Sequence, residues 1–178
     1  MANAACYQPD LAPNLEHELL GDDGHIWHFN QTISAKLANI GSLSEHVQKF
    51  CISRSNADSA VPLLGQDMNL VLSELLTNIV KYAYSSSLAL SQDCKIEVHV
   101  RFLDQFLEVL IIDQGIELPK HVLEKAQFEF DGDDIFSLPE GGFGWSIVHS
   151  IIDQVIYQRV INSNRLLLRK NVFFNLGD

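Results

Sequence analysis

Two polar residues, Glu74 and Asn78, lie within the apolar helical pattern of residues 74–84. They are four residues apart, so a helix places them on one face. Asparagine is a mediocre helix former because its amide competes for backbone hydrogen bonds, yet Asn78 falls in the middle of this pattern. A role as an oxygen ligand of Mg²⁺ would explain Asn78, and Glu74, one turn away, could accept the proton of a nucleophile. An ordinary surface pair on an amphipathic helix is the alternative interpretation.

A second polar group ends an apolar strand pattern at Asp113, and Gly115 follows two residues later. A carboxylate in this place can accept a hydrogen bond from an exocyclic amine such as that of adenine, and a glycine lets the backbone come close to a planar base. Asp and Gly also form ordinary turns at strand ends, so this pair alone leaves both interpretations open.

A glycine-rich run, with Gly141, Gly142 and Gly144, comes directly before a predicted helix. Such a backbone can direct its amide groups at a phosphate, and the helix N-terminus adds a favourable dipole. A flexible loop with a glycine N-cap is the alternative. The run is not a P-loop, because no Gly-Lys-Ser/Thr sequence follows. It is not a dinucleotide-binding fingerprint either, because it lies outside a strand–GxGxxG–helix unit.

The elements that position these groups follow from hydrophobic periodicity. The predicted strands are His25–Phe29 with an extension towards Ala35, Lys95–Phe102, Phe106–Ile112, and a closing hairpin of Val155–Val160 and Arg165–Phe174 whose turn is Asn162–Asn164. The first predicted helix starts at a cap on Ser42 or Ser44. Two further helices are predicted from Leu63 to Tyr84 and from Trp145 to Asp153, and a short one around Pro119–Ala126. This order predicts a two-layer α/β (α+β) sandwich, in which helices cover one face of a mixed, mainly antiparallel sheet.

The composition limits the class of protein. The chain has 178 residues. This length is enough for one domain with a substantial core, but it is short for two domains. Its formal net charge of -11 argues against nucleic-acid binding, because phosphate neutralisation needs clustered Lys and Arg. The acidic surface could face a basic partner protein or serve solubility alone.

The same sequence predicts a cytoplasmic protein that does not enter a membrane. It has no apolar run of about 18 residues and no secretory signal, and its three cysteines are scattered rather than arranged as a disulfide framework. Residues 1–24 contain acidic residues but no Lys or Arg. We predict that they form a flexible arm before a single domain at residues 25–178.

Together, the three chemical groups resemble the motifs of the GHKL superfamily in their order and separation. Glu-x-x-x-Asn resembles its N-box, Asp-x-Gly its first glycine box and Gly-Gly-x-Gly its second. More narrowly, ELLTNIVKYAY, GGFGWSIVHSIIDQVIYQR and NSNRLLLRK resemble the anti-sigma-factor serine kinases of the RsbW and SpoIIAB type. The resemblance runs from about His25 to the C-terminus.

This resemblance implies a Bergerat, histidine-kinase-like ATPase fold that uses ATP and Mg²⁺. It implies that Asn78 ligates the magnesium ion, Glu74 is the general base and Asp113 binds adenine. It further implies that Gly115 lies beside the base, that Gly141, Gly142 and Gly144 line the phosphates, and that residues 116–140 form the ATP lid. The implied partners are a small antagonist protein, phosphorylated on a serine, and a sigma factor, and a homodimer is common in such families.

Three positions depart from the family pattern. Tyr82 stands where many relatives have His, Leu166–Leu168 stand where relatives often carry a Thr near the adenine, and Phe143 occupies a variable box position. These departures affect adenine contact and lid closure rather than the magnesium or phosphate contacts. Two functions therefore stay open: a protein serine kinase, or a nucleotide-dependent protein-binding switch with little or no turnover.

Overall fold

The computed structural model describes residues 28–54, 61–84, 94–103, 106–119, 123 and 143–172. In these ranges the chain forms β1 (Phe29–Ser34), α1 (Leu37–Ser53), α2 (Val61–Asn78), β2 (Lys95–Leu103), β3 (Phe106–Asp113), α3 (Phe143–Ile151), β4 (Gln154–Val160) and β5 (Ser163–Asn171). The predicted arm at 1–24, most of the predicted short helix near Pro119–Ala126, and Gly141 and Gly142 lie outside the described residues.

The five strands form one sheet in the order β1-β2-β3-β5-β4. Each pair of neighbouring strands in the described ranges is antiparallel, and the register sets Val100 opposite Val109 and Asp113 opposite Asn164. The predicted two-layer sandwich with a mainly antiparallel sheet is confirmed. Strand β3 lies in the centre of the sheet, which explains its nearly continuous apolar sequence.

The helices pack on one face of the sheet, as predicted. Alternate strand residues such as Val98, Val109 and Leu168 form one buried cluster with residues of the three helices, among them Leu43 and Leu76. Fully burying each such side chain contributes roughly 1.5–3 kcal/mol of transfer free energy. The apolar stripe of α2 therefore faces the sheet, and this orientation decides where Glu74 and Asn78 point.

Helix α1 begins earlier than predicted. Lys36 is the residue before its first turn and makes no side-chain capping hydrogen bond, while Ser44 is fully buried inside the helix. The predicted caps at Ser42 and Ser44 are therefore wrong. Ile40, which is buried with Leu43 and Val47, extends the apolar face by one turn towards the N-terminus, so packing rather than capping defines this end.

The closing hairpin is tighter than predicted. Strand β4 ends at Val160 and β5 begins at Ser163, so Ile161 and Asn162 alone form the turn. Ile161 has a φ of 54° and is 90% exposed, an unusual conformation for a β-branched residue. As a result Asn164, predicted to lie in the turn, is a strand residue opposite Asp113.

The first strand begins at Phe29, and its predicted portion at residues 25–27 lies outside the described ranges. None of the helices in the described part of the chain has the length and apolar character needed to cross a membrane.

Candidate functional site

Glu74, Asn78 and Gly144 lie together where α2 meets the first turn of α3. A Cβ atom on Gly144 would lie 2.8 Å from Oε2 of Glu74 and 3.2 Å from Nδ2 of Asn78. Glycine therefore allows the start of α3 to approach both side chains. The two motifs that the sequence separates by more than 60 positions thus form one corner of the structure.

Helix α2 does not end as a regular α-helix. Directly after Asn78 the backbone widens into a π-helical turn at Ile79–Ala83, where a continuous α-helix had been predicted. Such turns are rare and often occur at functional sites. At the end of this turn, the carbonyl oxygen of Ala83 accepts a hydrogen bond from the backbone N–H of Ile116, outside the helix, at 3.0 Å. The turn thereby ties the end of α2 to the segment after β3.

Gly115 is required by this close approach. A Cβ atom at this position would lie 2.5 Å from Cβ and 2.8 Å from the carbonyl oxygen of Ala83. Tyr84 strengthens the same junction, because its hydroxyl donates to the Lys95 carbonyl and accepts from the Gln114 N–H. Burial raises the pKa of Tyr84 to about 12, so the hydroxyl keeps its proton and remains a donor.

Asp113 is a buried carboxylate at the end of the central strand, only 5% exposed. Its Oδ1 atom accepts hydrogen bonds from the Gly115 N–H at 2.7 Å and from Nδ2 of Asn164 at 2.8 Å. Burial raises the pKa of Asp113, while these two hydrogen bonds and the positive charge of Arg159 act in the opposite direction. Neither described donor reaches Oδ2, which leaves that oxygen to accept a hydrogen bond from a ligand.

Asn164 organises the surroundings of Asp113. Its Nδ2 atom also donates to the Ile116 carbonyl at 2.9 Å, and its Oδ1 accepts from the Tyr157 hydroxyl and from Nη1 of Arg159, both at 2.7 Å. Arg159 donates as well to the Gly115 carbonyl at 2.7 Å. With the opposite amide orientation, oxygen would face oxygen at Asp113, so these partners fix the side chain.

Sequence reasoning missed Asn164, Arg159 and Tyr157 as site residues. The strand pairing would have indicated Asn164, because this residue lies directly opposite Asp113 once the turn is placed at Ile161 and Asn162. Burial raises the pKa of Tyr157, which keeps its hydroxyl protonated as the donor to Asn164 while it accepts from the Leu118 N–H.

A cavity of about 350 Å³ connects these groups. Its lining combines the polar residues Asn78, Asp113 and Asn164 with apolar and aromatic side chains, namely Leu75, Ile79, Ile116, Leu118, Trp145, Tyr157 and Leu166. This size and this mostly apolar lining suit a small planar ligand held by a few polar groups. Tyr82 and Glu117 also line this cavity.

The side chains of Glu74 and Asn78 suit a hard metal ion that takes most of its oxygen ligands from a bound phosphate compound and water. Mg²⁺ prefers oxygen donors and commonly takes one or two from the protein and the others from phosphates and water. Glu74 and Asn78 offer such oxygens. In the described residues no group of three or more His, Cys, Asp or Glu side chains could hold a metal by itself. The nearby N-terminus of α3 adds a dipole suited to an anion.

The family described as Histidine kinase-like ATPase domain matches residues 33–170, and the chain belongs to it. Serine-protein kinase RsbW of Bacillus licheniformis is 30% identical over 96 residues, which cover 52% of this chain and 56% of that protein. Serine-protein kinase RsbW of Bacillus thuringiensis (strain Al Hakam) is 25% identical over 91 residues, or 51% and 54% of the two chains. The chain thus spans about half the length of these relatives.

A solved structure, Acinetobacter baumannii histidine kinase AdeS, is similar with a TM-score of 0.44 and 13% identity over 92% of this chain and 78% of that one. At this level of similarity it adds nothing to the assignment of the site.

Proposed function

We propose that this chain is an ATP-binding, anti-sigma-factor-like protein serine kinase that phosphorylates a serine of a small antagonist protein and also binds a sigma factor. Membership of the Histidine kinase-like ATPase family supports nucleotide use. The relatives named serine-protein kinase support the type of acceptor.

One observation carries the proposal: a single cavity is lined by both Asp113 and Asn78, with Glu74 and Gly144 close to Asn78. An adenine amine needs a buried acceptor such as Oδ2 of Asp113. A triphosphate instead needs groups that bind an anion and its metal ion, namely a helix N-terminus and a metal-ligating oxygen. The presence of both environments in one cavity suits a nucleotide better than a ligand with one polar end.

The chain's own residues define the roles in phosphoryl transfer. Asp113 accepts the hydrogen bond of the base, and Asn164 and Gly115 hold the carboxylate in place for it. Asn78 would hold Mg²⁺, which neutralises phosphate charge when bound. Glu74 accepts the proton of the serine hydroxyl as that oxygen bonds to the γ-phosphorus and the bond to the bridging oxygen breaks, with ADP as the leaving group.

Isothermal titration of the full chain with ATP, with and without Mg²⁺, tests the site. We expect Mg²⁺-dependent binding that Asn78→Ala weakens and that Asn69→Ala leaves unchanged. Asn69 lies on the same helix but donates to Gln48 of α1, so its removal controls for loss of an asparagine from α2. Equal binding by both variants would remove Asn78 from the site, and no binding by the wild-type chain would refute the proposal.

Glu74→Gln separates the two functions left open by the sequence. In a lysate of the source cells supplied with γ-labelled ATP, the wild-type chain should produce phosphoserine on a small protein. Glu74→Gln should keep ATP affinity and lose this product. If ATP changes capture of that protein while the wild-type chain forms no phosphoserine, the chain is a nucleotide-dependent switch instead of a kinase.

A further inference from the structure

Asn164 uses all of its hydrogen-bonding capacity inside the protein. A side-chain amide can donate two hydrogen bonds and accept two. Nδ2 of Asn164 donates to Oδ1 of Asp113 at 2.8 Å and to the Ile116 carbonyl at 2.9 Å. Its Oδ1 accepts from the Tyr157 hydroxyl and from Nη1 of Arg159, both at 2.7 Å. Asn164 lines the cavity, but it has no hydrogen bond left to offer a ligand there.

Asp113 is filled on one of its two oxygens in the same way. A carboxylate oxygen has two lone pairs, and those of Oδ1 accept from the Gly115 N–H at 2.7 Å and from Asn164. Among the described residues, no hydrogen-bond donor reaches Oδ2. Asp113 lines the cavity, so a ligand there meets a single free oxygen, which accepts hydrogen bonds while the carboxyl group is ionised.

This arrangement distinguishes between purine bases. Adenine presents an exocyclic amine at position 6, and one amine hydrogen needs only one acceptor. Guanine presents a carbonyl oxygen at position 6, so a carboxylate that binds its edge has to accept from N1–H and from the amine at position 2, one bond to each oxygen. Oδ1 of Asp113 is not available for the second of these bonds. A guanine carbonyl facing Oδ2 would also place two acceptors against each other.

We propose that Asn164 determines the base selectivity of the cavity, and that Tyr157 and Arg159 act through it as positioning residues. Their two donors hold Oδ1 of Asn164, so that its amide nitrogen faces Asp113. Turning the amide over would put oxygen against oxygen at Asp113 and Nδ2 against two donors. The inference rests on the proposed nucleotide site and adds to it the residue that selects adenine over guanine.

The strand register fixes the positions of these side chains. Asp113 of β3 lies opposite Asn164 of β5, which lies opposite Arg159 of β4. The three residues therefore form one row across the sheet, and Tyr157 reaches Asn164 from two positions earlier on β4. Because they belong to strands rather than loops, the backbone of the sheet sets where the amide of Asn164 lies.

Nucleotide affinities of purified variants test this role. Isothermal titration of the full chain in the presence of Mg²⁺ gives the ratio of the Kd for GTP to the Kd for ATP. We expect a ratio of about a hundred or more for the wild-type chain. Asn164→Leu should lower it below about ten, because it frees Oδ1 for guanine and releases the carboxylate that binds adenine. Tyr157→Phe and Arg159→Met each remove one donor to Asn164 and should lower the ratio about threefold to tenfold.

Tyr84→Phe is the matched control for Tyr157→Phe. The Tyr84 hydroxyl also binds the segment after β3, because it accepts from the Gln114 N–H, but it donates to the Lys95 carbonyl rather than to Asn164. Both substitutions should lower the Tm in thermal unfolding, since each leaves backbone groups without a partner. Tyr84→Phe should keep the GTP-to-ATP ratio of the wild-type chain.

The outcomes separate this inference from the proposed function. A wild-type chain that binds neither nucleotide would refute both. ATP binding with a wild-type ratio near one, or with the same ratio in the wild type, Tyr157→Phe and Arg159→Met, would overturn the inference alone. An equal loss of selectivity in Tyr84→Phe and Tyr157→Phe would also overturn it, because general loosening of the segment would then explain the effect. If Asn164→Leu does not fold, the two milder variants still decide the question.

Discussion

Replacing Gly115 by alanine tests whether this glycine serves packing or ligand contact. The added Cβ would lie 2.5 Å from Cβ of Ala83, whereas carbon atoms in contact normally lie about 3.5–4.0 Å apart. The nearest atoms include the Ala83 backbone, so the π-helical turn itself has to move. That movement also lengthens the hydrogen bond from the Ile116 N–H to the Ala83 carbonyl.

The expected loss of stability follows from these two contributions. Overpacking costs about 1–3 kcal/mol, and weakening one backbone hydrogen bond costs about 0.5–1.5 kcal/mol. We expect Gly115→Ala to lower the free energy of unfolding by about 2–4 kcal/mol. For a chain of this size, this corresponds to a fall in Tm of roughly 5–15 °C.

Gly41→Ala is the matched control. Gly41 is exposed within α1, and a Cβ there would meet no atom within 4 Å. Alanine should therefore raise stability by about 1 kcal/mol through its higher helix propensity. Guanidinium and thermal unfolding followed by circular dichroism measure both variants. A Gly115→Ala chain as stable as the wild type would refute the packing argument, and loss of ATP affinity without loss of stability would show that Gly115 serves the base instead.

Two further predictions concern the same cavity. Gly144→Ala directs its Cβ at the flexible end of Glu74, so we expect a change in unfolding free energy below about 1 kcal/mol but a strong loss of phosphoserine formation. A destabilisation of several kcal/mol would show that the contact is rigid. The second prediction concerns Asp113. Because burial raises its folded-state pKa, the folded chain holds this proton more tightly than the unfolded chain. Its contribution to stability therefore falls as pH rises from the unfolded pKa to the raised folded pKa, then levels off. The difference in unfolding free energy between the wild type and Asp113→Asn should decrease over this interval, and a flat or rising difference would contradict the assigned shift.

Much of the fold could be predicted from the sequence, because its apolar residues recur with clear helical and strand periodicity. Strand β2 alternates almost perfectly and was predicted to within one residue at its end, and β3 reads as a central strand. The start of α1 was wrong because serine was read as a cap, while the apolar face extended one turn further. A local capping rule was outweighed there by packing against the sheet.

The candidate site could be predicted only in part from the sequence. Glu74, Asn78, Asp113, Gly115 and Gly144 are local motif residues. Asn78 and Asp113 line one cavity, Glu74 and Gly144 lie against Asn78, and Gly115 donates to Asp113. Asn164 could not be recognised locally, because its role depends on the register between β3 and β5 and on a turn at the unfavourable residue Ile161. The π-helical turn at Ile79–Ala83 was not predicted either, because apolar periodicity indicates only a continuous helix there, and its hydrogen-bond partner Ile116 is distant in the sequence.

The pairing of β3 with β5 has a consequence for how the molecule assembles. Asp113 belongs to the hairpin of β2 and β3, while Asn164, 51 positions later, belongs to the hairpin of β4 and β5. Each hairpin can close through local contacts, but their union requires closing a long loop, which is entropically unfavourable and slow. The buried carboxylate acquires its amide partner only at that union, so we expect the cavity to form late in folding, and neither hairpin contains it alone.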